Sequence, residues 1–270
     1  MSRPQPLALA AGLFTVVPMP PVLDLQRGDA RRALAWLPVV GLLLGACAGA
    51  VAWGVVLLSG AQLLAAVLSV VVLQLLVGGM HLDGLADTFD GLAAVGSRKA
   101  GRDAAAALQV MRQPDIGAMG VVAISCVLAV QIAALATAPD ARALFVLALL
   151  GPLAGRLAVL VASRRGVPAA RPGGFGALFA GVTAPAIAWL QVVVGAGAAG
   201  ALGWWAADPL AGIGLALVML TGIAGSVGWT RHLVRVLGGV TGDVFGAMVE
   251  VTTTLVLLGG ALVEGVRWSV

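Results

Sequence analysis

The residues best suited to chemistry are three aspartates that fall close together in an otherwise apolar part of the sequence. Asp83, Asp87 and Asp90 lie within the segment Gly78–Gly91. On a helix, their spacing places all three on one face, within about 60° of arc. Carboxylates arranged in this way repel one another, and the segment has no Lys or Arg to compensate them. The simplest partner is a divalent cation, and Mg²⁺ suits a few carboxylates completed by substrate phosphates.

A solvated acidic loop is the alternative interpretation of this segment. The intervening residues are apolar or small, including Leu82, Leu85 and Phe89, which indicates that the opposite face packs against protein. This pattern favours metal binding over the loop. His81 precedes the first aspartate by two residues, and its role as a metal ligand, a general base or a headgroup contact stays open.

A second acidic pair stands at the last apolar segment. Asp243 and Glu250 are seven residues apart, which places them on the same face of a helix. Glu250 falls two turns into an apolar run, where an ionisable group indicates function. The glycine-rich turn 238–242 precedes this helix, and its backbone N–H groups are suited to an anion, although a plain turn is the alternative.

The composition defines the kind of protein that must position these groups. Of 270 residues, 60% are apolar and 10% are charged. Soluble proteins carry roughly 45–50% apolar and about 25% charged residues, so a soluble domain and a disordered chain are both excluded. Seven segments are long enough to cross a bilayer as helices, and they cover approximately residues 34–58, 61–79, 118–137, 143–162, 183–206, 209–229 and 244–263.

The predicted fold is therefore an all-α polytopic integral membrane bundle of about seven transmembrane helices. The segment Leu7–Val17 is too short to cross, and we interpret it as a short N-terminal interfacial or re-entrant segment. No internal repeat divides the chain. We expect residues 1–270 to form a single membrane-embedded catalytic domain.

The basic residues predict the orientation of this bundle. Seven crossings place 12 of the 16 Lys and Arg residues on one side and only Arg142 and Arg267 on the other. Such asymmetry marks the cytoplasmic side of a cell membrane, so the net charge of +4 reflects topology and does not indicate nucleic acid. Both acidic clusters then face the cytoplasm. The 12 residues are Arg27, Arg31, Arg32, Arg98, Lys99, Arg102, Arg112, Arg164, Arg165, Arg171, Arg231 and Arg235.

Among these arginines, Arg112 follows the first cluster and Arg235 directly precedes the glycine-rich turn. Either could bind an anionic substrate or simply mark the cytoplasmic side, and the sequence leaves both interpretations open. Arg156 differs because it falls inside a predicted span, where a charged side chain is expected to face the bundle interior.

The motifs together resemble one enzyme family. The segment Gly78–Gly91, which reads GGMHLDGLADTFDG, is similar to the signature of the cobalamin synthases, or adenosylcobinamide-GDP ribazoletransferases. Residues 32–45, 111–120 and 238–250 are also similar and appear in the family order. The resemblance implies a Mg²⁺-dependent membrane transferase that joins adenosylcobinamide-GDP to α-ribazole or its 5′-phosphate and releases GMP.

The resemblance also implies roles for individual residues, carried over by position. It implies metal ligation by Asp83, Asp87, Asp90, Asp243 and Glu250. It implies catalytic roles for these four aspartates and His81, with an aspartate or His81 taking the proton of the ribazole hydroxyl. The substrate-binding residues that it implies are Arg32, Arg112, Arg156, Arg235, Gly239, Thr241 and Gly242.

One stretch departs from the family pattern. The family commonly has Met-Arg/Lys-Asp-Ser-x-Ile-Gly where this chain reads MRQPDIG at residues 111–117. The carboxylate is displaced by two residues to Asp115. Whether Asp115 substitutes for the family carboxylate, or that carboxylate is dispensable, stays open.

Three other classes compete with this interpretation. A CDP-alcohol phosphotransferase would share Asp87-x-x-Asp90-Gly91, but the downstream acidic residues of that pattern are missing here. A cation transporter would need carboxylates near the middle of its spans, whereas those here gather at one face. A non-catalytic membrane protein has no use for clustered acids. The sequence leaves the oligomeric state open.

Overall fold

The structure of the protein is a computed structural model that describes residues 5–20, 22, 24–96 and 104–268. Within these ranges all regular elements are helices, and β contacts are limited to isolated bridges of Arg164 with Thr183 and of Ala169 with Val240. The predicted all-α fold is confirmed. In chain order the helices are α1 Pro6–Phe14, α2 Arg27–Leu34, α3 Leu37–Ser59, α4 Gln62–Val77, α5 Met80–Gly96, α6 Ala104–Val110, α7 Ala118–Ala136, α8 Ala141–Ala162, α9 Gly174–Phe179, α10 Pro185–Ala206, α11 Pro209–Leu237 and α12 Gly242–Trp268.

Six helices in the described part of the chain are long and apolar enough to cross a membrane, namely α3, α7, α8, α10, α11 and α12. A further candidate is the pair α4 and α5, whose axes are bent by 89°. Gly78 and Gly79 form the bend with φ angles of 60° and 67°, a left-handed conformation that glycine adopts readily. The prediction of about seven spans is confirmed, with the bent pair counting as the seventh.

The N-terminal helix α1 has nine residues, so at about 1.5 Å per residue it is too short to cross a bilayer. Its residues Leu9, Ala10 and Phe14 are buried against the bundle. The backbone N–H of Val16 then donates to the carbonyl of Leu76 at 2.9 Å, which ties the end of this segment to the end of α4. Its predicted place at the membrane interface stays a prediction.

Helix α8 forms the centre of the bundle, and its residues are buried continuously from Val146 to Ala162. Helix α3 approaches it closely at Gly41, where an added Cβ would lie 2.7 Å from the carbonyl oxygen of Pro152. Helix α12 approaches it at Gly155, where an added Cβ would lie 2.8 Å from the carbonyl oxygen of Val249. Small residues permit this close packing in membranes, and they fix the acid-bearing helix α12 to the core.

Large apolar side chains cover the outside of the bundle. Leu58, Leu75 and Leu190 are among the residues with most of their side chains exposed. Extensive exposed apolar surface is unfavourable in water and is the expected surface of a protein that contacts lipid.

Candidate active site at one end of the helix bundle

The three clustered aspartates lie on α5, as predicted. The helix begins immediately after the Gly78–Gly79 bend, and the N–H of Asp83 donates to the carbonyl of Gly79 at 3.0 Å. Leu85 is buried in an apolar cluster with Ala123 of α7 and Ala247 of α12. The segment is therefore a packed helix, and the alternative of a solvated loop is wrong.

Helices α5 and α12 are in backbone contact at the site. An added Cβ at Gly84 would lie 2.6 Å from the carbonyl oxygen of Asp243, and one at Gly246 would lie 3.2 Å from the Cα atom of His81. Since Asp83 and Asp87 lie on either side of Gly84 along α5, the carboxylates of Asp83, Asp87 and Asp243 act on one another electrostatically. We call these three residues the aspartate cluster. The expected approach of the two acidic motifs is thus met by Asp83 and Asp87 of the first motif and Asp243 of the second.

Thr241 orients the aspartate that α12 contributes. Its hydroxyl donates to the Asp243 carboxylate at 3.1 Å and accepts from the N–H of Val244 at 3.2 Å. The preceding turn is covered by the loop 163–173 and by α9. An added Cβ at Gly239 of the turn would lie 2.4 Å from the carbonyl carbon of Ala169 in that loop. An added Cβ at Gly176 of α9 would lie 2.7 Å from the Cα atom of Thr241. The turn is therefore largely enclosed by protein, and its predicted role as an anion site stays a prediction.

Asp90 has a contact that the sequence did not predict. Its two carboxylate oxygens accept hydrogen bonds from the N–H groups of Gly117 at 2.7 Å and Gly120 at 2.9 Å, at the start of α7. This carboxylate therefore caps another helix, where a negative charge is stabilised by unpaired N–H groups. An added Cβ at Gly120 would lie 2.5 Å from the carboxylate, so a glycine is required there. The predicted metal and catalytic roles of Asp90 stay predictions.

Asp115, the displaced acid, is exposed in the turn before α7. The start of that helix is occupied by Asp90, which reaches it from α5. The question of whether Asp115 replaces the family carboxylate stays open.

Glu250 lies deeper, inside the bundle, and is 3% exposed. Its carboxylate oxygens accept hydrogen bonds from the side-chain amides of Gln74 at 3.1 Å and Gln131 at 2.9 Å. Arg156 is fully buried in α8, as its predicted bundle-facing role requires, and it interacts electrostatically with both Glu250 and His81. Sequence reasoning missed both glutamines, although a polar amide within an apolar span was a usable signal.

Arg171 is a further residue at this site that the sequence did not single out. Its loop pairs with the glycine-rich turn, because Ala170 N–H donates to the Val240 carbonyl at 3.0 Å. The guanidinium donates to the carbonyl of Leu108 at 2.7 Å, and its Nε atom is buried without a partner among the described residues. Burial and the charge of Arg112 lower the pKa of Arg171, while Asp243 and Asp87 oppose this shift. The charge of Arg112 and those of Asp243 and Asp87 therefore act on Arg171 in opposite directions.

The other arginines predicted to bind substrate lie on or directly after other helices, namely α2, α6 and α11. Arg32 pairs with Asp29 on α2, and Arg235 is exposed in the last turn of α11, where its Nε donates to the carbonyl of Arg231. Arg112 is exposed after α6, near Arg171. Their substrate-binding roles, like those of Gly239, Thr241 and Gly242, stay predictions. Arg98, Lys99 and Arg102 lie outside the described residues.

The arrangement of the acidic side chains limits how a metal ion could be bound. No group of three or more His, Cys, Asp or Glu side chains within the described ranges is arranged to hold a metal ion. The predicted five-residue ligand set is divided accordingly. Asp83, Asp87 and Asp243 act on one another electrostatically. Asp90 also acts on Asp87, but its oxygens accept hydrogen bonds from α7, and Glu250 accepts hydrogen bonds inside the bundle.

The fold and the site together define an all-helical membrane protein with carboxylates and arginines gathered at one end of its bundle. A family model described as cobalamin-5-phosphate synthase matches residues 6–261. The chain therefore belongs to this family. No solved structure matches the chain.

Curated relatives match along nearly the whole chain and carry the same name, adenosylcobinamide-GDP ribazoletransferase. The one from Frankia casuarinae is 37% identical over 255 residues, covering 91% of this chain and 90% of that protein. The one from Roseiflexus sp. is 35% identical, with 93% and 87% covered, and one from Klebsiella pneumoniae is 35% identical, with 92% and 96% covered. These matches do not favour a CDP-alcohol phosphotransferase or a transporter.

Proposed function

We propose that this protein is an adenosylcobinamide-GDP ribazoletransferase. It joins adenosylcobinamide-GDP to α-ribazole or α-ribazole 5′-phosphate and releases GMP, a late step of cobalamin biosynthesis. The observation that carries this proposal is the shared name of relatives that match over nine-tenths of the chain. The convergence of Asp83, Asp87 and Asp243 gives this activity a place in the fold.

The donor set at the aspartate cluster fits Mg²⁺. The cluster offers oxygen ligands and an excess of negative charge, with Arg171 as a nearby cation. Mg²⁺ commonly uses one or two carboxylates, several waters and substrate phosphates, so it does not need three protein ligands arranged in advance. One or two carboxylates from among Asp83, Asp87 and Asp243 would hold the ion, together with waters and substrate phosphates. When bound, it would neutralise the diphosphate and stabilise the GMP leaving group.

The surrounding residues have separable tasks. Arg171, with Arg112 beside it, supplies positive charge next to the aspartate cluster, where the diphosphate of adenosylcobinamide-GDP would lie. Thr241 holds Asp243 in position. The proton of the attacking ribazole hydroxyl goes to an aspartate of the cluster or to His81, which lies in close contact with α12 but is 3% exposed.

The site belongs to the cytoplasmic side of the cell membrane in this proposal. The support is the distribution of basic residues over the predicted loops. Of the 16 Lys and Arg residues, 12 fall on the side of the aspartate cluster. Nucleotide-activated substrates are also found in the cytoplasm.

The test is a reconstitution of the purified protein in lipid nanodiscs. Adenosylcobinamide-GDP and Mg²⁺ are added with either α-ribazole or its 5′-phosphate, and GMP and the corrinoid product are quantified. The expected result is one GMP per completed corrinoid, lost when Mg²⁺ is chelated by EDTA and regained when it is restored. GMP release without a joined product, or no release with either base, would contradict the proposal.

A further inference from the structure

Polar side chains from four different helices converge below the aspartate cluster: two glutamines donate hydrogen bonds to a buried glutamate, and a buried arginine acts on that glutamate electrostatically. They are Gln74 of α4, Gln131 of α7, Arg156 of α8 and Glu250 of α12, and we call them the polar node. Gln131 and Arg156 are at most 2% exposed, and Glu250 is 3% exposed. Polar groups at this depth are unfavourable unless they satisfy one another, so their convergence requires an explanation.

Glu250 already has partners for its charge. One carboxylate oxygen accepts from the Gln74 amide at 3.1 Å and the other from the Gln131 amide at 2.9 Å, and Arg156 acts on it as a counter-ion. The Gln131 amide also donates to the Thr254 hydroxyl one turn further along α12, at 3.1 Å. The aspartate cluster differs, since its carboxylates act on one another and Arg171 is their nearby cation.

Gln74 links the polar node directly to the aspartate cluster. Its side chain holds Glu250, while its backbone carbonyl accepts from the N–H of Gly79 at 3.0 Å. That second hydrogen bond belongs to the bend from which α5 begins, four residues before Asp83. A single residue therefore connects the start of the helix carrying Asp83 and Asp87 to the helix carrying Asp243.

We infer that Glu250 is a positioning residue and not a metal ligand. Together with Gln74 and Gln131, it keeps α5 and α12 in the alignment that brings the aspartate cluster together. The inference rests on the proposed function only where it is tested by turnover, because those measurements need that activity. It replaces the role in metal ligation that the family resemblance implied for Glu250.

Exchanging the carboxylate of Glu250 on α12 with the amide of Gln131 on α7 distinguishes a positioning residue from a metal ligand. Glu250→Gln and Gln131→Glu are each expected to lower kcat about tenfold or more, the usual scale for a group that orients ligands. The double variant restores an amide opposite a carboxylate and keeps the charge beside Arg156, so kcat should recover to within about threefold of the wild type. The KM for adenosylcobinamide-GDP should change little throughout. A metal ligand would not be restored by this exchange.

A matched pair on α4 controls for general damage to the helix. Gln74→Leu should lower kcat in the same way as Glu250→Gln. Gln62→Leu makes the same substitution at the other end of α4, where Gln62 donates to the carbonyl of Ala138, and should leave kcat unchanged. If the variants only lose thermal stability and keep the wild-type kcat per folded molecule, the inference is overturned.

Mn²⁺ binding provides a readout that does not depend on turnover. Mn²⁺ replaces Mg²⁺, and electron paramagnetic resonance counts the ions bound to each purified variant. Glu250→Gln should bind as many ions as the wild type, whereas Asp87→Asn should bind fewer. If Glu250→Gln loses an ion as Asp87→Asn does, Glu250 is a ligand and the inference fails. A wild type without GMP release would refute the proposed function, while the ion count would still test Glu250.

Discussion

Gly84 and Asp243 are in contact across two helices that lie far apart in the sequence. A Cβ atom at residue 84 would lie 2.6 Å from the carbonyl oxygen of Asp243 and 2.9 Å from its Cα atom. The absence of a side chain at Gly84 is therefore what allows the carboxylates of α5 to reach the carboxylate at the start of α12. The site depends on helix packing as much as on its acids.

Gly84→Ala should separate α5 from α12 and lower turnover by about a hundredfold or more, because a displacement of about 1 Å is enough to disturb a catalytic arrangement. Its overpacking should also destabilise the protein by about 1–3 kcal/mol. Gly197→Ala is the matched control, since nothing lies within 4 Å of a Cβ at that helical position. Turnover and thermal unfolding of both variants check this, and an active Gly84→Ala protein would contradict it.

Asp90 should act on stability through its cap of α7. Asp90→Ala leaves the N–H groups of Gly117 and Gly120 without their acceptor and should lower the free energy of unfolding by about 1–2 kcal/mol. Asp90→Asn keeps an acceptor oxygen, so its free energy of unfolding should fall by less. Unfolding in detergent and Mn²⁺ binding are measured on both. An Asp90→Ala protein of full stability that has lost a metal ion would show that ligation is its main task.

Arg171 should contribute to binding of the diphosphate substrate. Arg171→Ala is expected to raise the KM for adenosylcobinamide-GDP about tenfold, the scale of one charge-assisted hydrogen bond. Arg171→Lys should be only partly active, because a lysine cannot keep the Leu108 contact and offer a second planar donor at once. Arg165→Ala removes an exposed arginine from the same loop and is the control. Equal KM values for Arg171→Ala and the control would refute this role.

Local sequence patterns were sufficient for the membrane-spanning helices and for most of the aspartate cluster, but not for the short helices α2, α6 and α9. The apolar lengths predicted the spans, and the spacing of Asp83, Asp87 and Asp90 predicted one face of α5, because both properties depend on residues close together in the chain. The approach of Asp243 followed from topology, which placed two helix ends on the same side of the bundle.

Tertiary contacts that leave no local pattern could not be predicted. The hydrogen bonds that the Asp90 carboxylate accepts at the start of α7 come from two glycines that lie 27 and 30 residues further along the chain. The hydrogen bonds that Gln74 and Gln131 donate to Glu250 depend on how α4, α7 and α12 pack. Arg171 reaches the site because its loop pairs with Val240, a pairing that its neighbours in the sequence do not indicate.

Whether the aspartate cluster is the active site is tested by the turnover of Asp243→Asn measured beside that of Asp140→Asn. Both changes remove one carboxylate charge near the start of an apolar helix, but Asp140 caps α8 at the end of the bundle away from the aspartate cluster, where asparagine can still accept the N–H of Ala143. Asp243→Asn is expected to remain folded in the membrane and to release no measurable GMP, while Asp140→Asn should retain wild-type turnover. Near-normal GMP release by Asp243→Asn would contradict the assignment of the aspartate cluster as the active site.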